Sequence, residues 1–409
     1  MCIDLFKVVV VMYITHSMYN KLIIMKLFTA LFMLMAVSSI YAQPLKKENI
    51  LTLSKQSVNT INSLFTTVNN NTPGYAIGII KDTTVLFKKG YGSANLDYDI
   101  PIKPTSSFEI ASVSKQFTAA CIALLILDGK ISLEDPASKF IPALLKYKDT
   151  IRVKHLMYNT SGITDYYKLP RPDGKSWMTF NYFDIDYCIK VSLTPDTLAF
   201  KPGDKWDYCN TNFMLLAKIV EKVSGQSFSE FAKKRLFEPL GMTNTSINDD
   251  VTQIIKNRVT PYNRRTPDIV AAYIKEGINI RQDGSWIQHP RISPHYGGSG
   301  VTTTVDDLLL WSKNFFTHQF GGQPFYDMMH KTMHFNNGRD NQAFGLYFGD
   351  YKGRQYVAWE GGEIGISTQM IRFPKQKVAI IVLSNLGVEG KAEQKANDIA
   401  DVLIKEGVL

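Results

Sequence analysis

Ser112-Val113-Ser114-Lys115 sets a hydroxyl and an amine three residues apart, and Tyr208-Cys209-Asn210 sets a phenol and a carboxamide two apart. On a helix, positions i and i+3 share a face, so the Ser112 hydroxyl and the Lys115 amine can meet. A serine hydroxyl is a poor nucleophile until a base takes its proton. A lysine can be that base only when burial or a neighbouring cation lowers its pKa. A serine at a helix start also lies near free backbone N–H groups and the positive end of the helix dipole. Tyr208 could share a proton with Lys115, and Asn210 could orient the lysine or a substrate. Each motif alone has a plainer reading. Ser112 could be an N-cap with Lys115 on the surface, Ser114 could take the cap instead, and Tyr208-Cys209-Asn210 could be a turn with an Asn cap.

The elements that must position these residues are legible in outline. Ser112–Leu127 carries Phe117, Ala120, Cys121, Leu124 and Leu125 at helical spacing and stops at Asp128-Gly129. Asn212–Val223 does the same with Phe213, Leu216, Ile219 and Val220, and stops at Gly225. An amphipathic helix is expected over 48–70 and a hairpin over Tyr75–Ile80 and Val85–Phe87. At the other end, Tyr356–Trp359, Thr368–Phe373 and Val378–Leu383 read as strands and 391–405 as a closing helix. The expected fold class is α+β: an antiparallel sheet built from both chain ends, flanked by helices, with a mainly helical inserted region. The sheet part covers about 43–110 and 336–409, and the helical part about 111–335.

Composition excludes several classes. Hydrophobic residues are 45% and charged residues 20% of the 409, as in ordinary globular proteins. The net charge of +9 is dispersed, with no basic stripe or nucleic-acid motif, so no nucleic-acid partner is expected. There is no Gly-x-Ser-x-Gly elbow; Gly365-Ile366-Ser367 reads as a strand. Phosphate-binding glycine loops are missing too. His330 and His334 are spaced for one helix face, but no third ligand accompanies them, and neither a metal nor another cofactor is expected.

From Met25-Lys26 a short apolar run over 27–37 leads to Ser38-Ser39-Ile40-Tyr41-Ala42, the pattern of a secretory signal over 1–42. Met25 is the expected true start. The run is too short for a membrane span of about 20 residues. Export to the periplasm or medium follows, with 43–409 as a single catalytic domain. Cys121, Cys188 and Cys209 remain, an odd set without a disulfide framework.

Taken in order, Ser112-x-x-Lys115, Tyr208-x-Asn210 and the glycine-rich Trp359-Glu360-Gly361-Gly362 resemble the serine β-lactamase and penicillin-binding-protein superfamily, in its class C and esterase-like branch. The resemblance runs from about Gly74 to Asn385. It is also carried by Tyr158-Asn159-Thr160-Ser161-Gly162, Pro239–Thr245, Gly297–Gly300 with Asp306-Asp307-Leu308, and Phe344-Gly345-Leu346. The resemblance implies Ser112 as acylated nucleophile, Lys115 as its activator, Tyr208 as proton carrier and Asn210 as a substrate-amide contact. It also implies an oxyanion hole from the N–H groups of Ser112 and Gly362, with Gly361 beside it. The plainer reading of these glycines is a crowded strand.

One departure matters. The family's third motif begins with lysine or histidine, and Trp359 stands there, with an N–H donor and no cation. Efficient β-lactam hydrolysis and recognition of a D-alanyl carboxylate are therefore in doubt. Strand alternation turns Glu360 to the face opposite Trp359. The aromatics Tyr166, Tyr167, Trp177, Phe180, Tyr182, Phe183 and Tyr187 either wall an acyl pocket or pack beneath a long loop. The expected function is an exported serine hydrolase acting on a small-molecule ester, amide or peptide. The alternatives are a D-Ala-type wall peptidase and a non-catalytic binding protein on the same fold.

Overall fold

The computed structural model describes residues 52–409, except 290 and 334–340, and scattered helical residues between 7 and 29. Residues 1–51 and 52–409 form separate units. Of the expected export segment 1–42 only residues 7, 10–16, 18–22, 25, 26 and 29 are described, and its apolar run and cleavage site lie, but for residue 29, outside the described residues. Among the described residues no helix is long and apolar enough to cross a membrane.

The main sheet of 52–409 takes its strands from both chain ends. They are β1 (Tyr75–Lys81), β2 (Thr84–Tyr91), β3 (Gln342–Ala343), β4 (Leu346–Tyr351), β5 (Arg354–Glu363), β6 (Ile366–Phe373) and β7 (Val378–Ser384). The spatial order is β3-β4-β5-β6-β7-β1-β2, all antiparallel. β7 pairs with β1 in the register Ile77↔Val382 and Ile79↔Ile380, which joins the two ends. Every residue of β7 is buried, because both faces of the sheet are covered. Ala379, Ile381 and Leu383 enter one core; Val378, Ile380 and Val382 enter the other.

The second core is closed by α1 (Lys55–Ser63), through Ile61, and by the C-terminal helix Ala392–Lys405, through Ile399 and Leu403. α1 is shorter than expected. Ser54 caps it by accepting from Ser57 N at 3.1 Å, and the asparagine-rich run after Phe65 does not continue it. The first core contains α2 (Lys115–Leu127), α3 (Asn210–Ser224) and α4 (Val305–Thr317). Gly129 and Gly225, each with φ of 70°, end α2 and α3 in the left-handed region, as their sequences predict.

Two features of the inserted region differ from expectation. α4 covers the sheet rather than lying beside it, and a Cβ on Gly78 would sit 2.5 Å from Val305 Cγ1. The region also carries short strand pairs, including Phe108-Glu109 against Val301–Thr303, which leads the chain into the site. The strand expected over Tyr356–Trp359 runs on to Glu363, because pairing of Gly361 with Thr368 and Gly362 with Ser367 extends the ladder past the apolar residues.

Candidate active site

The chain enters the site along Phe108-Glu109, and Ile110 N donates to Val301 O at 3.1 Å. Ala111–Ser114 then form one 3₁₀ turn before α2. Ala111 holds a φ of 45°, a conformation that costs a non-glycine residue about 1–3 kcal/mol. Ser112 therefore precedes the α-helix by a tight turn, and neither Ser112 nor Ser114 caps it through its side chain. Ser114 Oγ accepts from Val301 N at 3.1 Å and is fully buried.

The first turn of α2 points Lys115 inward, where its side chain has no exposure. Its Nζ lies 3.1 Å from Ser112 Oγ, 2.8 Å from Asn210 Oδ1 and 2.6 Å from the carbonyl of Gly298. Burial lowers its pKa to about 7, against the opposing pull of Asp165. A neutral amine has two N–H bonds, enough for Asn210 Oδ1 and Gly298 O, which turns its lone pair toward Ser112 Oγ. On the other side of Ser112, the Tyr208 hydroxyl lies 2.6 Å from Oγ. Burial raises the Tyr208 pKa, so the phenol keeps its proton. Lys115 meets Tyr208 through the ring, with Nζ 4.8 Å from its centroid.

Asn210 opens α3, and its orientation is set by Asp165, which accepts from both its backbone N and its Nδ2, the latter at 3.1 Å. With Nδ2 so held, Oδ1 is the atom that faces Lys115. Asn159 anchors the same segment: its Oδ1 accepts from Cys209 N at 3.3 Å and from Asn212 Nδ2 at 3.2 Å. Gly297 allows the Gly298 carbonyl its approach, since a Cβ there would fall 2.5 Å from Phe213 O.

β5 brings the last group. A Cβ on Gly361 would lie 2.3 Å from Ile110 O and 2.4 Å from Thr368 Oγ1, so this strand passes the turn before Ser112 at a distance only glycine allows. Gly362 faces open space and is exposed. Trp359 is buried, its ring 6.4 Å from that of Tyr208 and 5.7 Å from that of Tyr347. Trp359 belongs to the first core and its neighbour Ala358 to the second, as strand alternation requires.

Two hollows meet at Ser112, Tyr208, Gly362 and Glu363. The larger, about 1390 Å³, reaches both faces of β5: it is walled by Trp206, Tyr347 and Trp359, and also by Glu360, which strand alternation turns to the other face, and by Lys391 and Glu393 at the start of the last helix. The smaller, about 430 Å³, is lined by Tyr166, Tyr167, Trp177, Met178, Asn210 and His295. The aromatic stretch thus divides. Phe183 and Tyr187 pack behind Trp177, Phe180 stacks on Tyr273 at 4.4 Å, and Tyr182 is exposed.

All the sequence-predicted site residues converge on this place. The sequence reading did not single out Asp165, the Gly298 carbonyl, Glu109, Arg291, His295 or Glu363; for Asp165 and Gly298 the only sequence signal was their place beside the phrases Tyr158–Gly162 and Gly297–Gly300. His330 follows the helix Gly322–Met329 rather than lying on one, and its Nδ1 faces Tyr326 O at 2.8 Å; His334 lies outside the described residues. Among the described residues no three metal-ligating side chains cluster. Cys121, Cys188 and Cys209 are free and buried.

A sheet closed by both chain ends, with a serine, a buried lysine and a tyrosine joined at its edge, is the arrangement of a serine hydrolase. The chain belongs to the Beta-lactamase family, whose model matches residues 61–404. It is 29% identical over 329 residues to Penicillin-binding protein 4* of Bacillus subtilis, covering 76% of this chain and 67% of that one. With a D-aminopeptidase of Gluconobacter oxydans it shares 25% identity over 317 residues, or 76% and 56% of the two chains. The chain spans between 56% and 67% of the length of these curated relatives. Among solved structures it is similar to an octameric penicillin-binding protein homologue from Pyrococcus abyssi, with TM-score 0.68 and 25% identity over 85% of this chain and 75% of that one. The D-amino acid amidase of Ochrobactrum anthropi shares the fold, with TM-score 0.69 and 19% identity over 85% and 99%.

Proposed function

We propose that this chain is an exported hydrolase that cleaves an ester or amide through an acyl-enzyme on Ser112. One observation carries the reading: Ser112 Oγ lies between a buried Lys115 Nζ at 3.1 Å and a Tyr208 hydroxyl at 2.6 Å. Lys115, with its pKa near 7, takes the Ser112 proton as Oγ bonds to the substrate carbonyl carbon. The carbonyl oxygen becomes an oxyanion held by the backbone N–H groups of Ser112 and Gly362. Gly361 allows the two segments to approach closely enough for this. When the oxyanion collapses, the bond to the leaving group breaks, and that group takes the Tyr208 hydroxyl proton, which the proton on Lys115 replaces by way of Ser112 Oγ, the atom within reach of both. Water, giving a proton to Lys115, then attacks the acyl carbon; the bond to Oγ breaks, the acid is released and Oγ takes that proton back from Lys115. Asn210, fixed by Asp165, holds Lys115 and meets the substrate amide.

The walls support a substrate class. The smaller hollow offers Tyr166, Tyr167 and Trp177 to an apolar or aromatic acyl group. The larger carries Glu360 and Glu393 against one cation among the described residues, Lys391, while Glu363 at its border is paired with Arg291, and Trp359 puts no charge beside Tyr208. A substrate with a free carboxylate is disfavoured there, which speaks against D-Ala-terminated wall peptides. An amide or ester with a free amine meets no such penalty, and this agrees with the D-aminopeptidase among the relatives. Intact-mass spectrometry with a fluorophosphonate and separately with a penicillin, beside Ser112→Ala, tests the reading. A serine-dependent adduct with the fluorophosphonate is the expected result. No adduct with either would sink the reading in favour of a binding protein, and rapid turnover of penicillin would restore the wall-enzyme alternative.

A further inference from the structure

Beneath the two hollows lies a buried ionic group that the chemistry above does not use. Arg291 bonds through one nitrogen, Nη1, to both Glu109 and Glu363, and all three side chains are at most 10% exposed. Glu109 lies three residues before Ser112, on the strand that leads to it. Glu363 immediately follows Gly362 at the end of β5. The second oxygen of Glu109 accepts from Gly300 N at 3.1 Å, two residues past the carbonyl that holds Lys115. The second oxygen of Glu363 faces His295 Nε2 at 3.3 Å. Three segments of the site are therefore tied at one point: the approach to the nucleophile, the strand end with Gly362, and the loop with Gly298.

We propose that Arg291 is a positioning residue, whose bridge from Glu109 to Glu363 sets the spacing between the Ser112 and Gly362 backbone N–H groups. This rests on the acyl-enzyme reading above. The reasoning is mechanical. Where Gly361 passes the Ile110–Ala111 turn, the Thr368 hydroxyl ties the two by donating to Ile110 O at 3.0 Å, and the Arg291 bridge is a second tie, nearer the strand end that carries Gly362. A buried ion pair is in general a poor source of stability, and removing one partner leaves a charge without compensation. What it supplies is a common anchoring point, because one nitrogen, Nη1, faces both carboxylates at once. Burial is the largest influence on both carboxyls. It lifts Glu109 above the ordinary carboxylate range, opposed by Arg291 and Arg258 and reinforced by Glu363. At Glu363 the pull of Arg291 and His295 outweighs burial and holds the group ionised. Falling pH therefore loosens the Glu109 arm first.

The test compares wild type with Arg291→Lys, Arg291→Met and Glu109→Gln for fluorophosphonate labelling and for ester turnover. Full stoichiometry of labelling counts correctly folded sites, and the labelling rate reports the oxyanion geometry. The expected result is labelling to completion at a rate about 10²-fold lower in Arg291→Met, with Arg291→Lys, which keeps one cationic nitrogen, between it and wild type, kcat reduced in parallel and KM within twofold of wild type. Glu109→Gln, nearly isosteric, guards against an Arg291 variant that does not fold. It is expected to slow labelling and to make the acidic limb of the pH profile less steep, leaving only the Lys115 titration. Labelling of all variants at the wild-type rate would overturn the proposal, as would Glu109→Gln with a wild-type rate and pH profile. Reduced stoichiometry at an unchanged rate would also overturn it, since that is the signature of a purely structural role. A wild type that takes no label sinks the acyl-enzyme reading and the positioning role with it; a labelled wild type beside fully active variants sinks the positioning role alone.

Discussion

Around Ser112 Oγ the polar groups are enclosed and paired: Lys115 has three oxygens within 3.1 Å, Asn210 is held by Asp165, and Tyr208 reaches Oγ itself. Along the wall of the larger hollow, Glu360 is exposed and half of the lining is contributed by strand ends and by the start of the last helix. The first region obtains its chemistry by excluding water, because burial is what takes a lysine to a pKa of about 7. On the proposed function the second selects by the charges it lacks and those it keeps. Reaction type and substrate choice are then separable, and mutations on the two sides should fail in different ways.

The most severe test of that separation is the nucleophile. Ser112→Ala should abolish labelling and lower turnover on the order of 10⁶-fold, and Lys115→Met about 10²–10⁴-fold, both with substrate binding retained in equilibrium titrations. Turnover that survives Ser112→Ala would place the chemistry elsewhere. In the wild type, Lys115 is protonated below its pKa and cannot act as base. The acylation rate should therefore fall at least tenfold per pH unit below pH 7 and level off above it, as read from labelling rates between pH 5 and 9, the Lys115 titration alone giving the tenfold slope.

The two glycines of β5 sharpen the comparison further. Gly361→Ala must move Ile110 or Thr368, and is expected to cost about 1–3 kcal/mol in urea unfolding and about 10²-fold in rate. A tenfold smaller effect falls on the open wall. Trp359→Lys adds a cation beside Tyr208 and should raise the rate of penicillin acylation about tenfold, the value of one charge-assisted contact of about 1.4 kcal/mol. An unchanged penicillin rate would mean that Trp359 does not set the substrate charge. Smallest of all, Gly362→Ala meets no atom within 4 Å, and its unfolding midpoint should equal that of the wild type. A large loss of stability there would contradict the open geometry of this position.

Much of this arrangement was legible in the chain. Ser112, Lys115, Tyr208 and Asn210 announced themselves by type and order, and the terminal strands by runs such as Val378–Leu383, because burial on both faces of a sheet leaves an uninterrupted apolar segment. β3 and β4 were missed; Leu346–Tyr351 mixes polar and half-buried positions at the sheet edge, where the alternation is weak. The extension of β5 through Gly361 and Gly362 was missed as well, since glycines carry no hydrophobic signal and their place in the strand is fixed by backbone pairing.

By itself the sequence determined which groups are available for chemistry and which local segments hold them, since helix spacing, capping and strand patterning act over a few residues. Only the tertiary structure decided what those groups are. A lysine three residues from a serine is an ordinary cation until α3 and the Gly298 loop enclose it. The bridge from Glu109 through Arg291 to Glu363 joins residues 109, 291 and 363, whose partnership no local pattern encodes. Desolvation and long-range contact belong to the packed molecule, and here they turn common side chains into a site.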